Sequence, residues 1–154
     1  MKRPTIVLKL LGLTILLNLV RYYTLPLVFE RLVVFPGLVG AMEEHPEFFR
    51  NEFTTFDWVT SYLYNFMMWF VFTSLYYLLH PRLTGGHVLK SLKAYGCFFL
   101  LFASISFIYM NHYSHPRAFY LWNVLDAALV MPVVALANGL LFPYFFKKSE
   151  EVRA

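Results

Sequence analysis

The sequence predicts an all-α integral membrane protein, a bundle of four transmembrane helices forming one transmembrane domain over residues 1–154. Composition is the first reason, because 59% of the residues are hydrophobic and only 14% are charged, whereas soluble domains are about 25% charged. The second reason is the run 58–79, which carries no charge and is long enough to cross a hydrocarbon layer of about 30 Å. Three further apolar segments have comparable lengths.

The first two predicted spans cover about 5–25 and 57–79. The first ends where Pro26 lacks the backbone N–H that a continuing helix needs. The second is expected to open with a capping box, because Thr54 stands three residues before Asp57 and the two can satisfy each other's backbone donors.

The third and fourth predicted spans cover about 89–110 and 117–142. Within the fourth span, Pro132 removes one helical hydrogen bond and predicts a kink. An aromatic belt and a basic stop follow Pro143, just after the end of this span.

The long connection 26–56 is predicted to be an acidic outer loop that includes an interfacial amphiphilic segment. Residues 27–41 are apolar but interrupted, so they either lie in the plane of the membrane interface or prolong the first helix. The tail 147–154 is predicted to be cytoplasmic.

The orientation follows from the distribution of basic residues. Nine lie on the side of the chain termini and the middle turn, against three on the other side, and cytoplasmic loops are the ones enriched in Lys and Arg. We therefore expect both termini in the cytoplasm, in a bacterial inner (plasma) membrane. The nine are Lys2, Arg3, Lys9, Arg82, Lys90, Lys93, Lys147, Lys148 and Arg153, and the three are Arg31, Arg50 and Arg117.

A layer of polar side chains is predicted at one depth of the bundle. Counting about 1.5 Å per residue from the span boundaries places Arg21 and Asp126 at similar depths, and the amides of Asn18, Asn65 and Asn123 near them. An isolated Arg or Asp at this depth costs about 2.5–3.5 kcal/mol. We therefore expect Arg21 and Asp126 to meet, directly or through one of the amides.

Two interpretations of this polar layer stay open. In the first, the charged pair and its amides fix the helices in register. In the second, they line a cavity that receives a lipid headgroup, an ion or a proton, since ionisable groups inside membranes often mark functional sites.

The histidines suggest a separate metal-site hypothesis. His112 and His115 lie in the link before the fourth span, and His45 lies in the acidic loop on the same predicted side. Imidazoles with nearby carboxylates could bind a divalent metal. No cofactor is otherwise predicted, and a bound lipid is the alternative to a metal.

The sequence favours a non-catalytic accessory or assembly subunit of a larger membrane complex. No catalytic motif is present, the loops are short and aromatic residues are plentiful. The expected partners are membrane lipid and either other membrane subunits or further copies of the chain. Nucleic acid is not an expected partner, because the basic residues segregate by membrane side.

Two other functions are kept as hypotheses. One is an outer-leaflet lipid-binding or lipid-modifying enzyme that uses the Arg21 and Asp126 pair, with histidines at the mouth of the site. The other is an ion or small-molecule transporter that forms its pathway as an oligomer.

The single cysteine, Cys97, excludes a disulfide within the chain.

Overall fold

The computed structural model describes residues 3–49 and 52–150, with side chains at 4–49 and 52–146, and every regular element within these ranges is helical. The last four residues of the predicted tail 147–154 lie outside the described residues. The helices are α1 (Arg3–Tyr23), α2 (Leu25–Phe29), α3 (Phe35–Glu43), α4 (Thr55–Leu79), α5 (His87–His112) and α6 (Arg117–Glu150). A π-helical turn at Glu30–Val34 joins α2 to α3, and short 3-10 turns lie at Pro46–Phe48 and His80–Arg82.

Three helical segments of the described chain are long and apolar enough to cross a membrane: Pro4–Glu43, His87–His112 and Arg117–Phe146. Helix α4 has 25 residues but is not among them, because its Trp, Tyr, Thr, Ser and Asn residues lower its mean hydropathy. The coarse prediction of a helical protein suited to a membrane is thus confirmed.

The helices alternate in direction, as short connections between neighbours require. At one end of the bundle, the Lys9 ammonium donates to the Phe145 carbonyl oxygen at 2.5 Å, and the His80 ring lies 4.6 Å from the Phe142 ring. This end, called the terminal end below, therefore holds the start of α1, the turn between α4 and α5, and the last turns of α6. At the opposite, distal end, the ring of Phe48 lies 5.6 Å from that of His115.

Aromatic packing holds α4 and α5 together in the terminal half of the bundle. The Trp69 ring stacks on Tyr95 at 6.4 Å, and the Phe72 ring stacks on Phe98 at 4.7 Å. Helices α5 and α6 are in backbone contact at Gly139, where a Cβ would lie 2.5 Å from the Val88 Cα. A glycine at the point where two helices cross lets their backbones come into contact, as is common in membrane bundles.

The capping box predicted before α4 is present. The Thr54 hydroxyl accepts from the Asp57 backbone N–H at 3.2 Å, and the Asp57 carboxylate accepts from the Thr54 backbone N–H at 2.9 Å. We expect Thr54→Ala to lower the free energy of unfolding by about 1 kcal/mol, because an orphan N–H loses its acceptor. Thr55→Ala, one residue inside the helix, is the control and should change it by less than about 0.5 kcal/mol. Reversible unfolding in mixed detergent micelles measures both, and equal losses would contradict the cap.

Helix α6 extends beyond residue 142, the predicted end of the fourth span. Helix α6 continues through Pro143 to Glu150. Proline costs this helix one hydrogen bond, but Phe142 and Phe146 on either side of it are buried to 2% and 1% exposure. Tertiary packing therefore overrides the local preference for a break.

The predicted first span and outer loop also need correction. Helix α1 ends at Tyr23, and Thr24 has extended backbone angles. The chain then becomes helical again at once, because Pro26 fits the first turn of a helix. Most of the predicted loop 26–56 is thus helical as far as Glu43.

The segment from α2 to α3 does not continue α1 along the bundle. A straight continuation would carry Gly37 about 24 Å past Arg21, yet Gly37 lies against the ring of Trp122 with no room for a Cβ. Trp122 is only about 6 Å along α6 from Asp126, and Asp126 contacts Arg21. The segment therefore turns at Thr24 and crosses α6 at the level of the predicted polar layer.

Candidate ligand-binding site

Arg21 lies between two carboxylates in the distal half of the bundle. Its Nη2 is 2.9 Å from Glu30 Oε1 and 3.8 Å from Asp126 Oδ2. The side chains of Arg21, Glu30 and Asp126 are 14%, 21% and 24% exposed, respectively. These three residues are called the ion cluster below. The predicted contact between Arg21 and Asp126 is present.

Glu30 is the member that the sequence did not predict. It belongs to the π-helical turn of the segment that crosses α6, so its position depends on the reversal of the chain at Thr24. One signal was available: Glu30 is the single acidic residue before Glu43, and it stands in an apolar run. A lone carboxylate in such a run needs a partner.

The ion cluster has a charge imbalance. One guanidinium faces two carboxyl groups. With both carboxyls ionised the net charge is −1, and an uncompensated charge away from water is costly. Asp126 Oδ1 is buried and accepts no hydrogen bond from the described chain. A proton on one carboxyl, or a cation beside the cluster, would balance that charge.

Helix α6 places Asp126 about 13 Å from its beginning at Arg117. Helix α1 brings Arg21 to its last turn, where the guanidinium lies 4.6 Å above the ring of Tyr22, in the geometry of a cation–π contact. The Tyr22 hydroxyl donates to Asn65 Oδ1 at 3.1 Å. This chain of contacts connects the ion cluster to α4.

The three predicted amides have different roles. Asn18 and Asn123 each donate to the carbonyl four residues earlier in their own helix, at 2.9 and 2.7 Å. Asn65 is the amide that links two helices, through Tyr22. Asn65 and Asn123 line the same cavity as Arg21 and Asp126, whereas Asn18 does not line it.

Two cavities meet at the ion cluster. The larger, of about 260 Å³, lies between α4, α5 and α6 and is called the inner cavity. The smaller, of about 180 Å³, lies between α1, α6 and the segment from α2 to α3, which is called the crossing segment below. Arg21 and Asp126 line both. The inner cavity also has the lining residues Asn65, Met68, Trp69, Phe102, Asn123, Ala127, Val130 and Met131.

Helix α4 contributes Asn65, Met68 and Trp69 to the lining of the inner cavity. Trp69 is 3% exposed, and its indole N–H is buried and has no acceptor in the described chain. Asn65 supplies an amide NH₂ group on the same helix. Helix α6 contributes Asn123 and the Asp126 carboxyl group, and α1 contributes the Arg21 guanidinium. The inner cavity is thus lined by charged and amide side chains together with apolar ones.

The histidines lie apart from this site. The rings of His45 and His115 both lie near the ring of Phe48, with ring centres 6.3 and 5.6 Å from it, respectively. His112 Nδ1 lies 2.8 Å from the Ile108 carbonyl oxygen, within its own helix. In residues 4–49 and 52–146, whose side chains the structure describes, no three His, Cys, Asp or Glu side chains group closely enough to hold a metal ion. A metal at His45, His112 and His115 stays a sequence-based prediction.

Comparison with protein-family models, with curated proteins and with solved structures finds no match to this chain. The chemistry of the site therefore rests on its own geometry. A partly apolar cavity with a few convergent polar groups is the common form of a small-molecule site, and here those groups are the side chains of Arg21 and Asp126 with the amides of Asn65 and Asn123.

Proposed function

We propose that the chain is a four-span protein of the bacterial inner membrane, with cytoplasmic termini, and that its inner cavity binds the polar head of an outer-leaflet lipid. The observation that carries this proposal is the inner cavity of about 260 Å³ that reaches the ion cluster. A purely structural polar knot has no need of an open space beside its charged groups, whereas a ligand site is a concave space with a few convergent polar groups.

The fourth span of the proposal is α4. Its 25 residues reach about 38 Å, more than the hydrocarbon thickness. No charged residue follows Asp57 within it. Its ring contacts hold it against α5, a helix that is apolar enough to span, and the short connection between the two makes them antiparallel.

The orientation of the proposal rests on the basic residues of the terminal end. Lys9, Arg82, Lys90 and Lys93 belong to that end of the bundle, and the positive-inside rule assigns such an end to the cytoplasm. The ion cluster then belongs to the outer half of the bilayer.

Access from the lipid is supported by the way α4 and α5 pack. Their ring contacts in the described chain involve Trp69, Phe72 and Tyr76, on the terminal side of the inner cavity. The inner cavity lies at the distal edge of these contacts, next to Trp69, and is not sealed from the surface of the bundle. A lipid head could enter there while its chains remain in the bilayer.

Filling the cavity tests the proposal. Ala127 lines the inner cavity and is 9% exposed, so we expect Ala127→Phe to occupy the space of the headgroup. Native mass spectrometry of the protein in nanodiscs should show about one retained lipid per wild-type chain and at least a roughly tenfold weaker retention in the variant, a difference of about 1.4 kcal/mol.

Leu125→Phe is the matched control, because Leu125 is 38% exposed on the same helix and does not line the cavity. It should retain lipid as the wild type does. Thermal unfolding of all three proteins shows whether Ala127→Phe still folds. Equal retention in a folded Ala127→Phe variant would contradict the proposal and favour an accessory subunit with a structural polar knot.

A further inference from the structure

The ion cluster brings one basic and two acidic side chains together from three parts of the fold. We infer that it is a binding site for one exchangeable proton, which the Asp126 carboxyl group holds while the Glu30 carboxylate stays ionised against Arg21. This site goes beyond the proposed function, because it does not depend on a lipid head in the inner cavity.

The charges of the cluster balance in one protonation state. The guanidinium of Arg21 stays protonated in proteins, and two carboxyl groups that share a site do not readily ionise together. The cluster carries a net charge of −1 without a proton, +1 with two protons, and none with a single proton. The state with a single proton is favoured, because an uncompensated charge away from water is costly.

The two distances from Arg21 assign the proton to one of the carboxyl groups. Arg21 Nη2 lies 2.9 Å from Glu30 Oε1, which is the length of a hydrogen bond between a charged donor and an ionised carboxylate. The same nitrogen lies 3.8 Å from Asp126 Oδ2, which is too long for a hydrogen bond. Glu30 is therefore the ionised partner of Arg21, and Asp126 is the carboxyl group that carries the proton.

No other side chain of the described chain supplies a second positive charge. Arg21 is the single Lys, Arg or His among the described residues that line either cavity. On α1, the Tyr22 ring lies 4.6 Å from the guanidinium, and on α4, the Tyr62 ring lies 6.2 Å from that of Tyr22. Both phenols are uncharged at neutral pH. Besides Glu30, the crossing segment and α5 contribute apolar side chains to the cavities, namely Val34, Phe35, Leu38 and Phe102.

A proton suits this site better than a larger cation does. A metal ion or an ammonium group would have to lie beside the carboxyl groups and near Arg21, whose guanidinium repels it. A proton binds directly to a carboxyl oxygen and needs no space of its own. A proton on Asp126 also leaves the contact of 2.9 Å between Arg21 and Glu30 in place.

The proton can exchange with water, because the cluster is not sealed. The side chains of Glu30 and Asp126 are 21% and 24% exposed. Asp126 lines both cavities, of about 260 and 180 Å³, and each far exceeds the roughly 30 Å³ that one water molecule occupies. Ionisable groups within membranes commonly belong to proton relays. Exchange therefore does not require the helices to separate.

Infrared spectroscopy of the wild-type protein in nanodiscs tests this inference. A protonated carboxyl group has a C=O stretching band that an ionised carboxylate lacks, and the band of an exchangeable proton shifts in deuterium oxide. At neutral pH we expect a band equivalent to about one carboxyl group per chain, and we expect it to shift in deuterium oxide.

Two variants assign the band to the cluster. Asp126→Asn should remove it, because the carboxyl group that carries the proton is gone. Glu30→Gln should remove it as well, because Asp126 then becomes the partner of Arg21 and ionises. Both variants leave one carboxylate for one guanidinium, so the cluster stays neutral, and thermal unfolding checks that each variant folds. Glu52→Gln is the matched control and should keep the band, because Glu52 is exposed and lines neither cavity.

The contradicting results are separate from those of lipid retention. A wild-type protein without the band would overturn the inference, because both carboxyl groups would then be ionised and balanced by another cation. A band that survives in a folded Asp126→Asn or Glu30→Gln variant would also overturn it, as would a band that deuterium oxide leaves unshifted. If one variant fails to fold, the other still decides. None of these results depends on whether Ala127→Phe loses its lipid.

Discussion

Replacing Arg21 by Gln is expected to be among the most destabilising single substitutions in the chain. It leaves the Glu30 and Asp126 carboxylates together without a cation, at positions 21% and 24% exposed. Removing one partner from a largely buried ion pair costs about 3 kcal/mol or more. We expect a fall of about that size in the free energy of unfolding, measured by reversible unfolding in mixed micelles.

Arg31→Gln is the matched control for this substitution. Arg31 follows Glu30 directly and is exposed, so its loss should change the free energy of unfolding by less than about 0.5 kcal/mol. A charge exchange sharpens the test: Arg21→Asp and Asp126→Arg should each destabilise, whereas the double variant should recover part of the loss. A double variant no more stable than the worse single variant would contradict the pairing.

Gly139→Ala is expected to have the second large effect. A Cβ there would lie 2.5 Å from the Val88 Cα, 3.0 Å from the Val88 nitrogen and 3.1 Å from the His87 carbonyl oxygen. All three are backbone atoms that cannot rotate away, so α5 and α6 must separate. Overpacking of this kind costs about 1–3 kcal/mol, and we expect a loss of about 2 kcal/mol in the same unfolding measurement.

Gly96→Ala supplies the contrast on α5. No heavy atom beyond its local neighbourhood lies within 4 Å of a Cβ at Gly96, and alanine favours a helix over glycine by up to about 1 kcal/mol. Stability should therefore stay the same or rise. Equal losses at Gly96 and Gly139 would show that the close approach of α5 and α6 is not the cause.

The contact between Arg21 and Asp126 was predictable from the sequence because depth along a helix is set by counting residues. Each lies inside an apolar segment, and each has a cost that only a partner removes. The count needs no knowledge of loops or of which helices are neighbours. The cap of α4 was predictable for a similar reason, since Thr54 and Asp57 interact across three residues.

Glu30 and the crossing segment were not predictable in the same way. Their position depends on Thr24, whose extended backbone ends α1, and on the fit of Gly37 against Trp122 on a distant helix. Both are tertiary features without a local pattern. The continuation of α6 through Pro143 was also not predictable from the sequence. It depends on the burial of Phe142 and Phe146, which outweighs one lost hydrogen bond.

The inner cavity could not have been foreseen from residue types. Trp69 and Phe102 are large side chains that would fill a bundle if α4 and α5 packed along their whole lengths. The ring contacts between those helices involve Trp69 and residues nearer the terminal end, and the cavity lies beside Trp69 at the distal edge of these contacts. Which rings meet across two helices is a tertiary feature that residue types alone do not specify.

The most direct test of a lipid-binding site at the ion cluster is the mass of the intact wild-type protein released from its own membrane in mild detergent. Native mass spectrometry should show the chain, alone or as a homo-oligomer, with about one phospholipid per chain. A different protein accompanying the chain in a fixed ratio, with no retained lipid, would contradict the binding site and make the ion cluster a structural feature of an accessory subunit.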